Sequence, residues 1–163
     1  MKEEPFESLC MYGLSFEYPR SWRLIIESKQ VSFDEGKINT LGTDILAGLL
    51  WEKVDKVEIS LKDYDEMVLT NLQKKDKKFK LINKETTEVC GHQAFLEIME
   101  TRGRSGFIGL RKGIIEHVHL LFFCDVSQRF VTLYVTVLPK LKREYAGVID
   151  RIFSSVKCYH HVG

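Results

Sequence analysis

The stretch that decides the fold is Ile114-Ile115-Glu116-His117-Val118-His119-Leu120-Leu121-Phe122-Phe123-Cys124, followed by Asp125-Val126-Ser127-Gln128 and then, after Arg129, by Phe130-Val131-Thr132-Leu133-Tyr134-Val135-Thr136-Val137-Leu138. Two strand-length apolar runs joined by a short polar connection describe an antiparallel hairpin. Successive strand side chains point to opposite faces, so Leu121 and Phe123 share one face while Val118, Leu120 and Phe122 share the other. Both faces are apolar, a pattern a strand needs only where both sides of its sheet are covered. The hairpin therefore predicts an α+β, single-domain α/β/α sandwich, with a central, mainly antiparallel sheet and helices or long connections on each side.

Working outward, Pro139 ends the hairpin. Leu141, Tyr145, Val148, Ile149, Ile152, Phe153 and Val156 then recur at helical spacing, predicting a helix over 140–157. On the other side, Ala94, Leu96 and Ile98 alternate within a strand over 94–101, and Cys90-Gly91-His92 is a turn after a strand over 79–88. A short strand is expected over 107–110. Ser60 is placed to cap a helix over 60–76, with Asp63 three residues on and Leu61, Tyr64, Val68 and Leu72 at helical spacing. Its end runs into Lys74-Lys75-Asp76-Lys77-Lys78, lysines that oppose the negative end of the helix dipole. Tyr12 to Tyr18 alternates as a strand, Pro19 breaks it, and Trp22 to Glu27 alternates again. A third short strand over 31–33 ends in a turn at Asp34-Glu35-Gly36, and 45–54 reads as strand. The stretch 38–44 has no readable period.

The chain has 163 residues, which suits one domain over 1–163, with 1–10 and 159–163 as frayed ends. Its 44% hydrophobic residues exclude a globally disordered chain. Lys and Arg number 24 against 23 Asp and Glu, so no excess of positive charge is available for nucleic-acid binding. No apolar run approaches the roughly 18 residues of a membrane span, and the start of the chain lacks the apolar core of a secretory signal. These features predict a cytoplasmic protein without membrane insertion. Cys10, Cys90, Cys124 and Cys158 are widely spaced in sequence, which predicts four reduced thiols. Only three asparagines among abundant Lys and Glu lean toward a thermophilic source.

No catalytic signature stands out. Ser154, Ser155 and the cysteines lie outside any recognisable nucleophile motif, and Arg102-Gly103-Arg104-Ser105-Gly106 lacks the ending of a phosphate-binding loop. Arg102 and Arg104 in that Gly-rich loop are candidate anchors for an anionic group or partner. His117 and His119, two apart on a strand, share a face and could ligate one metal ion if further ligands converged, for which His92, Cys90, Cys158, His160 and His161 are available. Asp63, Asp65 and Glu66 read as carboxylates favoured in a first helical turn.

The segment Tyr12-Gly13-Leu14-Ser15-Phe16-Glu17-Tyr18-Pro19-Arg20-Ser21-Trp22 resembles the entry motif of the Mog/PsbP/DcrB-like group. The order of later elements, through Gly91-His92-Gln93-Ala94 to a C-terminal helix ending Ser154-Ser155-Val156-Lys157, resembles that group too. The resemblance implies a Mog/PsbP-like fold and, since the members are mostly non-enzymatic, a binding or adaptor module for a protein partner, with no cofactor. Two other functions fit the residues: a metal-dependent hydrolase using His117 and His119, and a carrier of a small apolar ligand held between the sheet and the C-terminal helix.

Overall fold

The computed structural model describes residues 4–26, 31–54, 59–102 and 113–158. The elements in chain order are β1 (Phe6–Met11), β2 (Leu14–Pro19), β3 (Arg23–Ile26), β4 (Glu35–Leu41), β5 (Ile45–Glu52), α1 (Leu61–Lys75), β6 (Lys80–Val89), β7 (His92–Arg102), β8 (Ile114–Cys124), β9 (Arg129–Val137), α2 (Ala146–Ser155) and β10 (Lys157–Cys158). A seven-stranded antiparallel sheet has the order β3-β4-β5-β9-β8-β7-β6, and a small sheet has the order β1-β2-β10.

The β8–β9 hairpin is central, with Cys124 opposite Arg129 and Leu120 opposite Leu133. As its two apolar faces require, the large sheet is covered on both sides. One face carries Ala47, Leu49, Trp51, Leu120, Phe122, Val131, Leu133 and Val135, which form the main core with Leu14 and Phe16 of β2 and Ile149 and Ile152 of α2. The opposite face carries Leu121 and Phe130, which pack against Tyr64 of α1. The fold is thus α+β, with α1 on one side of the sheet and α2 plus the small sheet on the other.

Local chemistry accounts for the ends of α1. Ser60 Oγ accepts from the Asp63 amide at 3.1 Å, and Lys74 and Lys75 occupy the last turn. Two-residue turns with positive φ at Tyr12-Gly13 and Cys90-Gly91 close the β1–β2 and β6–β7 hairpins. Trp22 is buried, meeting Tyr145 edge to face with ring centroids 6.3 Å apart.

Several expectations need correction. Residues 6–10 are not a frayed end, because β1 pairs with β2 from Phe6–Pro19 to Met11–Leu14. Tyr12 belongs to the turn rather than to the strand. The C-terminal helix is shorter than 140–157: a 3-10 turn at Pro139–Leu141 precedes α2, and Lys157–Cys158 has left the helix to pair with β2. Asp34-Glu35-Gly36 is where β4 begins, and the unreadable stretch 38–44 holds the rest of it. Gly36 is needed there because the Trp51 indole lies where a Cβ would stand. The expected strand over 107–110 and the tail 159–163 lie outside the described residues. Among the described residues, no helix is long and apolar enough to cross a membrane.

Candidate functional site

The strand alternation that sends Leu120 and Phe122 into the main core sends His117 and His119 to the α1 face. Register places Met99 and Glu97 of β7 beside them on one side, and Thr136 and Tyr134 of β9 on the other. Beyond Tyr64 the second half of α1 stands away from this face, and a cavity of about 750 Å³ opens between helix and sheet. Its walls are apolar where Val68 and Leu72 of α1 face Leu50, Met99 and Ile115. Its floor is polar, made by His117, His119, Thr132, Tyr134 and Thr136, and its charged lining is Lys37, Lys75, Asp76 and Arg102.

The floor is held rigidly. Thr101 Oγ1 stands 2.8 Å from His117 Nε2, and Thr136 Oγ1 stands 2.9 Å from His117 Nδ1. Both ring nitrogens therefore have a hydroxyl partner, one donating to the ring and one accepting from it. Burial lowers the His117 pKa to about 4, although Glu116 and Asp76 pull the other way. Burial, with the charges of His117 and Lys37 nearby, lowers His119 to about 3. Both imidazoles are neutral near pH 7. Tyr134 donates to Asn39 Oδ1 and lies flat because Gly48 beneath it has no side chain; a Cβ there would meet the ring and both oxygens. Lys37 Nζ stands 5.8 Å above the Tyr134 ring.

Both ends of α1 are tied to the sheet. At the open end, Asp76 accepts from the Arg102 amide at 3.0 Å and from the Lys78 amide at 2.9 Å. At the closed end, Tyr64 stacks on Phe130 with centroids 4.0 Å apart and donates to Glu52. Beside it, Asp65 is buried and accepts from Lys84 Nζ at 2.5 Å. Glu97, buried next to Asp65, has its pKa raised to about 8 by burial and by the hydrogen bond and charge of Asp65, against the pull of Lys84. Asp65 Oδ1 and Glu97 Oε2 have no conventional donor, so a proton held on Glu97 completes the contact between them.

Of the residues singled out from sequence, Arg102, His117 and His119 meet in this one cavity, and Arg104 lies outside the described residues. Among the described residues no three of His, Cys, Asp and Glu come close enough to hold one metal ion. The space expected between the sheet and the C-terminal helix is filled by the main core, and the cavity lies on the other face, beneath α1. Sequence reasoning missed the polar floor of β9, although Thr132, Tyr134 and Thr136 alternate within an otherwise apolar run and share the histidines' face. It also missed Asp65 with Glu97 and Lys84, three residues far apart in sequence with no motif to join them.

No family model and no curated protein sequence matches the chain. Solved structures share its fold. Cyanobacterial PsbP (CyanoP) from Synechocystis sp. PCC 6803 is 13% identical, with a TM-score of 0.68 over 97% of this chain and 95% of that one. The Ran-binding protein Mog1p of Saccharomyces cerevisiae is 12% identical, with a TM-score of 0.59 over 96% of each chain. LpqN, involved in cell envelope biogenesis of Mycobacterium tuberculosis, is 14% identical, with a TM-score of 0.57 over 96% of this chain and 86% of that one. The fold is therefore Mog/PsbP-like.

Proposed function

We propose that this protein is a non-catalytic binding module and that the cavity beneath α1 receives a segment of a protein partner, one that sets an apolar side chain beside an acidic one. The observation that carries this reading is the make-up of the cavity: apolar walls, a floor of neutral hydrogen-bonding groups, and a charged lining of three cations against one anion. At the open end Asp76 is held by two backbone amides, and Lys75 and Arg102 outnumber it there, which favours an acidic partner group.

Hydrolysis is the poorer fit. A base whose conjugate acid has a pKa near 4 withdraws a proton from a hydroxyl only weakly at neutral pH, and both His117 nitrogens are engaged by threonines rather than free for a metal. That Mog1p is a Ran-binding protein supports the same direction by analogy of fold alone. A carrier of a small apolar ligand is the second reading, favoured by a volume within the roughly 300–1,000 Å³ of small-molecule sites.

Selection from a random peptide library displayed against the purified chain tests the proposal. The expected binders carry Asp or Glu next to Leu, Phe or Trp. Lys75→Glu with Arg102→Glu should weaken them at least about tenfold while lowering the melting temperature only slightly, because both side chains sit at the surface and the loss is confined to the end of α1. Binders that tolerate the double reversal, or a small molecule retained by freshly purified protein in native mass spectrometry, would contradict it.

A further inference from the structure

The far end of the β8–β9 hairpin holds a second cluster that the cavity does not use. Cys124 ends β8, Arg129 opens β9 opposite it, and Cys158 lies in β10. All three are buried, and the two sulfurs are 2.8 Å apart, with Cys158 donating to Cys124. Both cysteines are free thiols. The fold thus brings together two residues that are 34 apart in sequence.

Arg129 is the third member. Its side chain is 1% exposed, and its guanidinium lies 4.1 Å from the centre of the Phe33 ring, with Nη1 donating to the Phe33 carbonyl at 3.2 Å. Its Nε has no acceptor among the described residues. Asp34, whose charge reaches Arg129, is paired with Lys53 at 3.5 Å. A buried guanidinium calls for a buried anion. Among the described residues, the buried groups beside it able to carry one are the two sulfurs, whose charges act on it more strongly than that of Asp34.

We propose that Cys124, Cys158 and Arg129 form an oxidative modification site, in which a Cys124 thiolate that accepts from Cys158 reacts with hydrogen peroxide and Cys158, beside the guanidinium, resolves the product to a disulfide. Burial raises the Cys124 thiol, but the hydrogen bond from Cys158 and the polar groups of the adjoining Val126-Ser127 turn outweigh it and bring the pKa below the ordinary thiol value. Burial and the neighbouring Cys124 push Cys158 up to about 12, so it keeps its proton. These are the roles of an attacking and a resolving thiol.

The chemistry balances. The Cys124 sulfur attacks one peroxide oxygen, the S–O bond forms as the O–O bond breaks, and hydroxide leaves and takes up the proton that Cys124 had released. The sulfur is oxidised by two electrons to the sulfenic acid and the peroxide is reduced. Cys158 then attacks that sulfur; the S–S bond forms, the S–O bond breaks, and hydroxide departs with the Cys158 proton as water. Two thiols and one peroxide yield one disulfide and two waters. The bond ties β10, at the end of α2, to the tip of the central hairpin.

The test is to treat the reduced, folded, full-length chain with one equivalent of hydrogen peroxide, alkylate in denaturant and map the peptides. A Cys124–Cys158 linked peptide, lighter by about 2 Da than its two free halves, should form at least about tenfold faster than oxidation of the exposed Cys10 and Cys90. Recovery of Cys124 and Cys158 as alkylated thiols while Cys10 or Cys90 is oxidised would overturn the proposal. In Cys158→Ser, a dione reagent should trap a sulfenic acid at Cys124. Failure to trap it there, or equal trapping at Cys158 in Cys124→Ser, would overturn the assigned roles.

Discussion

Trp22 follows the Tyr18-Pro19 corner and holds it in place from within. Its amide donates to the Pro19 carbonyl at 3.0 Å, its ring meets Tyr145, and Gly42 leaves room for the indole to lie against the chain. Trp22→Ala removes a large buried ring from a site whose neighbours are fixed. It should lower stability by roughly 3–5 kcal/mol in denaturant unfolding, and a loss below about 1 kcal/mol would show that the ring contributes little. His117 and His119 act on stability through protons. Their folded pKa values of about 4 and about 3 lie below the ordinary 6.5, so the unfolded chain takes up protons that the folded chain refuses. Their contribution is complete above pH 6.5 and is lost as pH falls toward 4. His117→Gln should therefore be less sensitive to acid than the parent between those values, measured as the change in melting temperature.

At the scale of elements, α1 is held to the sheet by a contact with the opposite pH dependence. Glu97 keeps its proton in the folded chain up to about pH 8, whereas the unfolded chain loses it near 4.5. Stability from this group therefore falls as pH rises from 4.5 to 8, and above 6.5 the two histidines no longer oppose it. The melting temperature should drop between pH 6.5 and 8.5, and Glu97→Gln, which keeps the shape without the charge, should flatten that drop. An unchanged slope in the variant would mean that Glu97 ionises freely in the fold. Elements with a regular period were legible from sequence: the β8–β9 hairpin, α1 with its Ser60 cap, and the Cys90-Gly91 turn. β4 was not, because its Gly36, Asn39 and Thr40 answer to Trp51, Tyr134 and the Ala47 carbonyl across the sheet rather than to a local propensity. β1 and β10 were missed for a related reason: each is defined by pairing with β2, and short strands with mixed burial carry little pattern of their own.

Across the whole molecule the two faces of the large sheet differ in purpose. One is filled by β2 and α2 and supplies the core; the other meets α1 through Tyr64 and its neighbours at one end and through Asp76 at the other, and leaves the cavity open between them. The sequence allowed His117 and His119 to be placed on one face and Arg102 to be named as an anchor. It could not show that Thr101 and Thr136 flank His117, because those contacts depend on the register of three strands. The central claim is that a partner segment binds in this cavity, and nuclear magnetic resonance mapping of the isotopically labelled chain with a selected acidic, apolar peptide tests it most directly. The account predicts the largest shifts at Lys37, Val68, Arg102, His117 and Thr132, all of which line or border the cavity. Shifts confined to α2, the small sheet or the outer strands β3 and β6 would contradict it.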